Sequence, residues 1–124
     1  AYAYYAAATF DADGKITSVV LDASQFSANF NNKGEITTDL TVPQLAKQTL
    51  KDDYGMKGRS GIGKEWYEQA NFFATYVKGM TAEEVAGVAM DDSGYAADAD
   101  VLAGTTVHIG DFLNVIVAAY ESVK

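Results

Sequence analysis

Thr9 to Val20 reads TFDADGKITSVV, and it sets the direction of the chain. Asp11-Ala12-Asp13-Gly14-Lys15 is a hairpin turn signal, with short acidic residues and then a glycine that accepts the positive φ a tight reversal needs. Before it, Ala1 to Phe10 (AYAYYAAATF) is rich in tyrosine and small residues. After it, Ile16 to Leu21 (ITSVVL) is β-branched and apolar, so it reads as the return strand. The same turn has the opening spacing of a calcium loop. The twelfth loop position falls on Asp22 rather than Glu, and no helix flanks it, so calcium is set aside.

Further along, Phe26, Ala28 and Phe30 alternate with Ser27 and Asn29, which predicts a third strand. Asn31-Asn32-Lys33-Gly34 is a second turn, and Glu35 to Thr38 is expected to pair back. Thr41 with Pro43 reads as a helix entry, leading to a short helix over 45–50. Asp52 to Gly63 (DDYGMKGRSGIG) is the longest irregular segment. A helix is expected over 64–78, because Trp66, Ala70, Phe73 and Val77 share one apolar face. Thr81-Ala82-Glu83-Glu84 is a capping box for a shorter helix. Thr105 to Ile109 reads as a strand, and Asp111 as the cap of a last helix with Phe112, Val115, Ile116, Ala119 and Tyr120 on one face. Strands, then helices, then a strand and a helix predict a single α+β domain over 1–124, an antiparallel sheet with helices packed against it.

The chain has 124 residues, nearly half of them apolar, enough for one core. Seventeen acidic residues stand against nine basic ones, a net charge of −8. Nucleic acid and anionic lipid surfaces both want a basic face, so neither is an expected partner. There is no cysteine. Disulfides, thiolate catalysis and cysteine-ligated metals are excluded, and a single histidine, His108, cannot build a multi-histidine site. No apolar run approaches the roughly 20 residues of a membrane span.

For chemistry, the densest signal is Asp98 to Phe112 (DADVLAGTTVHIGDF). Ala103, Gly104, Thr105 and Thr106 put a glycine bend beside two hydroxyls, with the acidic Asp98 and Asp100 just ahead. Such a bend can bring backbone N–H groups together near a phosphate. The competing reading is an ordinary turn into a strand. Neither a P-loop nor a dinucleotide-binding glycine pattern is present, and no Ser-His-Asp set stands out.

Thr9–Val20 together with Lys51–Gln69 (KDDYGMKGRSGIGKEWYEQ) resembles bacterial FMN-binding domains of exported lipoproteins. Those lipoproteins serve flavin-based extracellular electron transfer in Gram-positive anaerobes and their relatives. In the wider family a flavin transferase links FMN through its phosphate to a threonine or serine in the motif D-x-x-[ST]-G-A-[ST]. Asp100 to Thr106 matches that motif in length, with Asp100, Gly104 and Thr106 in register. It departs at Ala103 and at Thr105.

The resemblance implies Thr106 as the acceptor, with Thr105 as the fallback. It implies Tyr54, Met56, Trp66 and Tyr95 beside the flavin ring, and Lys57, Arg59 and Lys64 near phosphate charge. It also implies an electron-transfer carrier rather than an enzyme, with membrane electron donors and extracellular acceptors as partners. The expected place is outside the cytoplasm, tethered to the outer face of the cytoplasmic membrane as a mature or trimmed part of a lipoprotein. The alternative is a module of the same fold that carries no flavin and binds a small ligand or a partner.

Overall fold

Tyr2–Phe10 (β1) and Ile16–Gln25 (β2) form the expected hairpin in the computed structural model, which describes residues 1–123. The strands run antiparallel, from Tyr2 opposite Gln25 to Thr9 opposite Ser18. Phe10 then pairs with Ile16, a shift that leaves Thr17 as the extra residue of a bulge. Asp11 explains the turn. Its carboxylate accepts the N–H groups of Asp13 and Lys15, both at 2.9 Å, while Gly14 takes φ +76°. The same side-chain-to-backbone pattern recurs at Asn31 and at Asp91, each with a glycine three residues on. One local device therefore makes three of the chain's reversals.

A two-stranded sheet does not stand alone in water. Here one face is covered by helices. Five α-helices are described: Lys47–Leu50 (α1), Trp66–Tyr76 (α2), Ala82–Ala86 (α3), Ala99–Leu102 (α4) and Gly110–Glu121 (α5). Helix α5 packs on β1, α2 packs on β2, and α3 lies against α5. The period-2 pattern turns Leu21 and Ala23 inward onto them, while Val20 stays exposed. The architecture is a single α+β domain with an antiparallel sheet against helices.

Phe112 is the centre of the core. Its ring meets Trp66 edge-on at 5.7 Å, Phe73 at 5.6 Å and Tyr4 at 6.1 Å. The apolar stripe read from the sequence, Trp66, Ala70, Phe73 and Val77, is buried throughout.

Several local expectations give way. The third strand over 26–30 and its partner over 35–38 reduce to one bridge, Phe30 with Ile36, and both side chains stay exposed. No apolar layer covers them, so alternation alone does not build a ladder. The strand over 105–109 likewise reduces to a bridge between Tyr95 and His108. Thr41 does not open a helix: its N–H and hydroxyl bond the Asp39 carboxylate, and α1 begins only at Lys47 after Ala46. Ile109 rather than Asp111 is the residue before α5, and Asp111 falls in the first turn. Helix α4 occupies what reads as loop, because Asp98 caps it by accepting the Asp100 N–H at 2.8 Å.

Phe112→Ala is expected to cost about 3–5 kcal/mol, the range for emptying a buried aromatic site. A denaturant titration that moves by less than about 1 kcal/mol would show that the three rings do not depend on it.

Candidate functional site

Segments far apart in the chain meet at one open cleft of about 610 Å3. Its floor is Trp66 and Gln69 from α2. One wall is Tyr2 and Tyr4, two residues apart and so on the same side of β1. The irregular segment supplies Tyr54, Met56, Arg59, Ser60 and Gly61, and Tyr95, Thr106, Val107 and His108 complete the lining.

Two buried polar side chains assemble these parts. Glu65 is 2% exposed, and its carboxylate accepts the N–H groups of Met56 and Lys57, each at 2.8 Å. It thereby ties the glycine-rich segment to the start of α2. Gln69 is fully buried and bonds in both directions. Its amide nitrogen donates to Ser60 Oγ at 3.2 Å and to the Lys64 carbonyl at 3.1 Å. Its amide oxygen accepts the Thr106 N–H at 2.8 Å and the Thr106 hydroxyl at 3.2 Å. The Gln69 backbone carbonyl accepts the Thr105 hydroxyl at 2.9 Å.

Glycine is required at two places for different reasons. A Cβ on Gly104 would fall 2.3 Å from the Phe72 ring. A Cβ on Gly94 would fall 2.2 Å from His108 Nε2, and Gly94 also sits at φ +84°. The Gly94 carbonyl accepts the N–H groups of Ile109 and Gly110, which sets the segment carrying Thr106 and His108. His108 stands edge-on to Tyr95 at 5.6 Å, with Nδ1 3.2 Å from the Asp111 carboxylate.

The residues singled out by the sequence divide in two. Thr106, Tyr54, Met56, Trp66 and Tyr95 all line the cleft, as does Arg59. Thr106 is half-buried at the wall. Thr105 is fully buried, and its hydroxyl is spent on Gln69. Gly104 is packed under Phe72, and Asp100 is exposed on α4. Lys57 is exposed and contributes only its backbone N–H, and Lys64 lies over the Phe72 ring at 5.6 Å. The expected cluster of free N–H groups at the bend is not there. The Gly104 and Thr105 N–H groups bond the Val101 carbonyl at 3.1 and 2.8 Å, and the Thr106 N–H bonds Gln69. A terminating helix uses these donors itself.

Lys47 is the unforeseen member. It is 2% exposed, yet it reaches the cleft. Its ammonium bonds the Tyr2 hydroxyl and lies 4.6, 4.4 and 5.0 Å from the ring centres of Tyr2, Tyr54 and Trp66. The neighbouring Gln48 fixes it in place, bonding the Asp22 carboxylate, the Leu21 carbonyl and Asn71. Tyr4 has its phenol pushed up to about 12, by burial first and then by Asp111, Tyr54 and Tyr95. Among the described residues no group of three or more His, Cys, Asp or Glu side chains is placed to hold a metal ion, and no helix is long and apolar enough to cross a membrane.

No family model matches this chain, and no solved structure matches it. A stretch of 39 residues is 56% identical to a chlorophenol reductase of Desulfitobacterium hafniense. The match covers 32% of this chain and 12% of that protein, so the chain spans a small part of the curated relative it matches.

Gln69→Leu keeps the size and removes the amide. It is expected to cost about 1–3 kcal/mol for each buried group left without a partner. It should also speed hydrogen exchange at the Thr106 amide well beyond the change at core amides of α5. Equal acceleration at both would mean global loosening and no special link. In a pH titration of phenolate absorbance, Tyr4→Phe should remove one component of the rise, near pH 12. Because the folded phenol titrates above the ordinary value of 10.0, its stabilising contribution is complete below that value. It is lost as pH climbs toward 12, so Tyr4→Phe should unfold less steeply with alkali over that window.

Proposed function

We propose that this chain is a flavin-carrying electron-transfer domain, with FMN attached through its phosphate to Thr106. The observation that carries the reading is the position of Thr106, half-buried in the lining of a cleft that also holds the rings of Tyr2, Tyr4, Tyr54, Trp66 and Tyr95. A cleft of about 610 Å3 is of ligand size, and flat aromatic faces suit a tricyclic ring. The reductase with the matching stretch adds a redox setting, said of that protein alone.

Attachment needs an activated donor, here a phosphoanhydride carrying FMN, and a flavin transferase. The Thr106 oxygen attacks the phosphorus bearing the flavin and gives up its proton. A P–O bond to the departing phosphate breaks, and a phosphodiester to Thr106 forms. Bound flavin would supply the electron chemistry. The chain's own residues hold the hydroxyl, flank the ring and screen it from water. Arg59 at the rim can meet the phosphate charge that the engaged N–H groups of the bend cannot. The proposed setting, a lipoprotein on the outer face of the cytoplasmic membrane between membrane donors and extracellular acceptors, rests on the sequence resemblance.

A second reading, a module without covalent flavin, draws on those engaged N–H groups and on Ala103 and Thr105, which depart from the acceptor motif. Intact mass after co-expression with a flavin transferase separates the two. Wild type is expected to gain one FMN less one water and to keep its yellow colour through acid precipitation. Thr106→Ala should gain nothing, and Thr106→Ser should gain the same increment. An unmodified wild type, or an equal gain in Thr106→Ala, overturns the attachment.

A further inference from the structure

Lys47 is almost fully buried and paired with no carboxylate among the described residues. Burial of an ammonium is costly unless something compensates it. Three ring faces and one phenol oxygen offset part of that cost, and they leave donors of the ammonium without an acceptor. A chain with net charge −8 has many carboxylates, yet none is brought to this one. The site is therefore built to keep an uncancelled positive charge at the floor of the cleft.

Its place along α2 says what the charge faces. Lys47 lies over Trp66, and Thr106 is bonded to Gln69, three residues on, a separation of about 4.5 Å along the helix axis. A phosphate on Thr106 occupies the Gln69 end. The rings around the ammonium include Tyr54 and Trp66, which the flavin reading sets beside the ring, so Lys47 shares that part of the cleft with the ring.

We propose that Lys47 binds the reduced, anionic form of the flavin ring more tightly than the oxidised form, and so raises the reduction potential of the cofactor. This inference rests on the flavin reading above. Two electrons from a low-potential donor and one proton from water convert the neutral oxidised ring into a ring with one net negative charge. That charge is centred on the pyrimidine nitrogen and carbonyl, and a cation beside it favours the reduced side. Lys47 is thus a positioning and potential-setting residue, with no bond made or broken to it.

The test is a spectroelectrochemical titration of the flavinylated protein and of its Lys47→Met variant, with a chemical mediator as electron source. If Lys47 favours the reduced ring tenfold, the variant's midpoint potential falls by 29.6 mV. A flavinylated variant with an unchanged or higher potential overturns the role of Lys47 and leaves the flavin reading standing. A wild type that acquires no flavin overturns both.

Should Lys47→Met fail to fold, wild type alone decides. A nearby cation keeps the reduced ring anionic, so uptake of its second proton is pushed to lower pH than in free FMN. The slope of potential against pH should then stay at about 29.6 mV for each tenfold change in proton activity further into acid than it does for free FMN. A break at the same pH as free FMN, or at higher pH, sinks the proposal.

Discussion

The Gln69 side chain is the constraint on which the site depends. One primary amide, fully buried, satisfies a serine and a carbonyl on one side and a threonine amide and hydroxyl on the other. A buried amide has few ways to meet its needs, and each unmet one is costly. Its fixed geometry therefore fixes the distance between the glycine-rich segment and the Gly-Thr-Thr bend. Both segments line the cleft. Helix α2 carries this amide on its buried face, one turn before Phe73, whose ring is locked in the core.

Charge is arranged against the grain of the composition. The molecule is acidic, with seventeen carboxylates. The buried acid that shapes the site, Glu65, is turned away from the cleft to receive backbone N–H groups. Lys47 and Arg59 line the cleft while Lys57 and Lys64 do not. An anionic ligand would thus meet a surface that repels it in general and two basic side chains at this cleft. Such an arrangement favours selectivity over speed of encounter.

Much of the frame was legible in the sequence, for local reasons. The Asp11 turn and the period-2 and helical stripes need only neighbours along the chain, and they formed where their residues put them. Phe26–Phe30 and Thr105–Ile109 had the alternation of strands and no layer to pack on, a fact that lies outside any local window. Tyr2 and Tyr4 were visible as a pair on one face of a strand, a signal that went unused. Lys47 had no signal at all. Nothing in Lys-Gln-Thr-Leu says that its first residue is buried among three rings, since those rings come from positions 2, 54 and 66.

The cleft's two sides differ in what holds them, and that difference bears on how a bound group would be treated. Tyr2, Tyr4 and Trp66 stand on a strand and a helix whose partners are core residues, and Phe112 touches Tyr4 and Trp66 directly. Arg59, Ser60 and Gly61 stand on short turns held by Glu65 and Gln69. Local openings follow the weaker set of contacts. The ring-bearing side is thus held by core packing, and the rim by hydrogen bonds from two buried side chains. A charge acting on a bound group would act most strongly from the packed side, because its effect falls with every added ångström of separation. Gln69 belongs to both sides at once, and this is why a single buried amide, rather than a larger apolar contact, joins them.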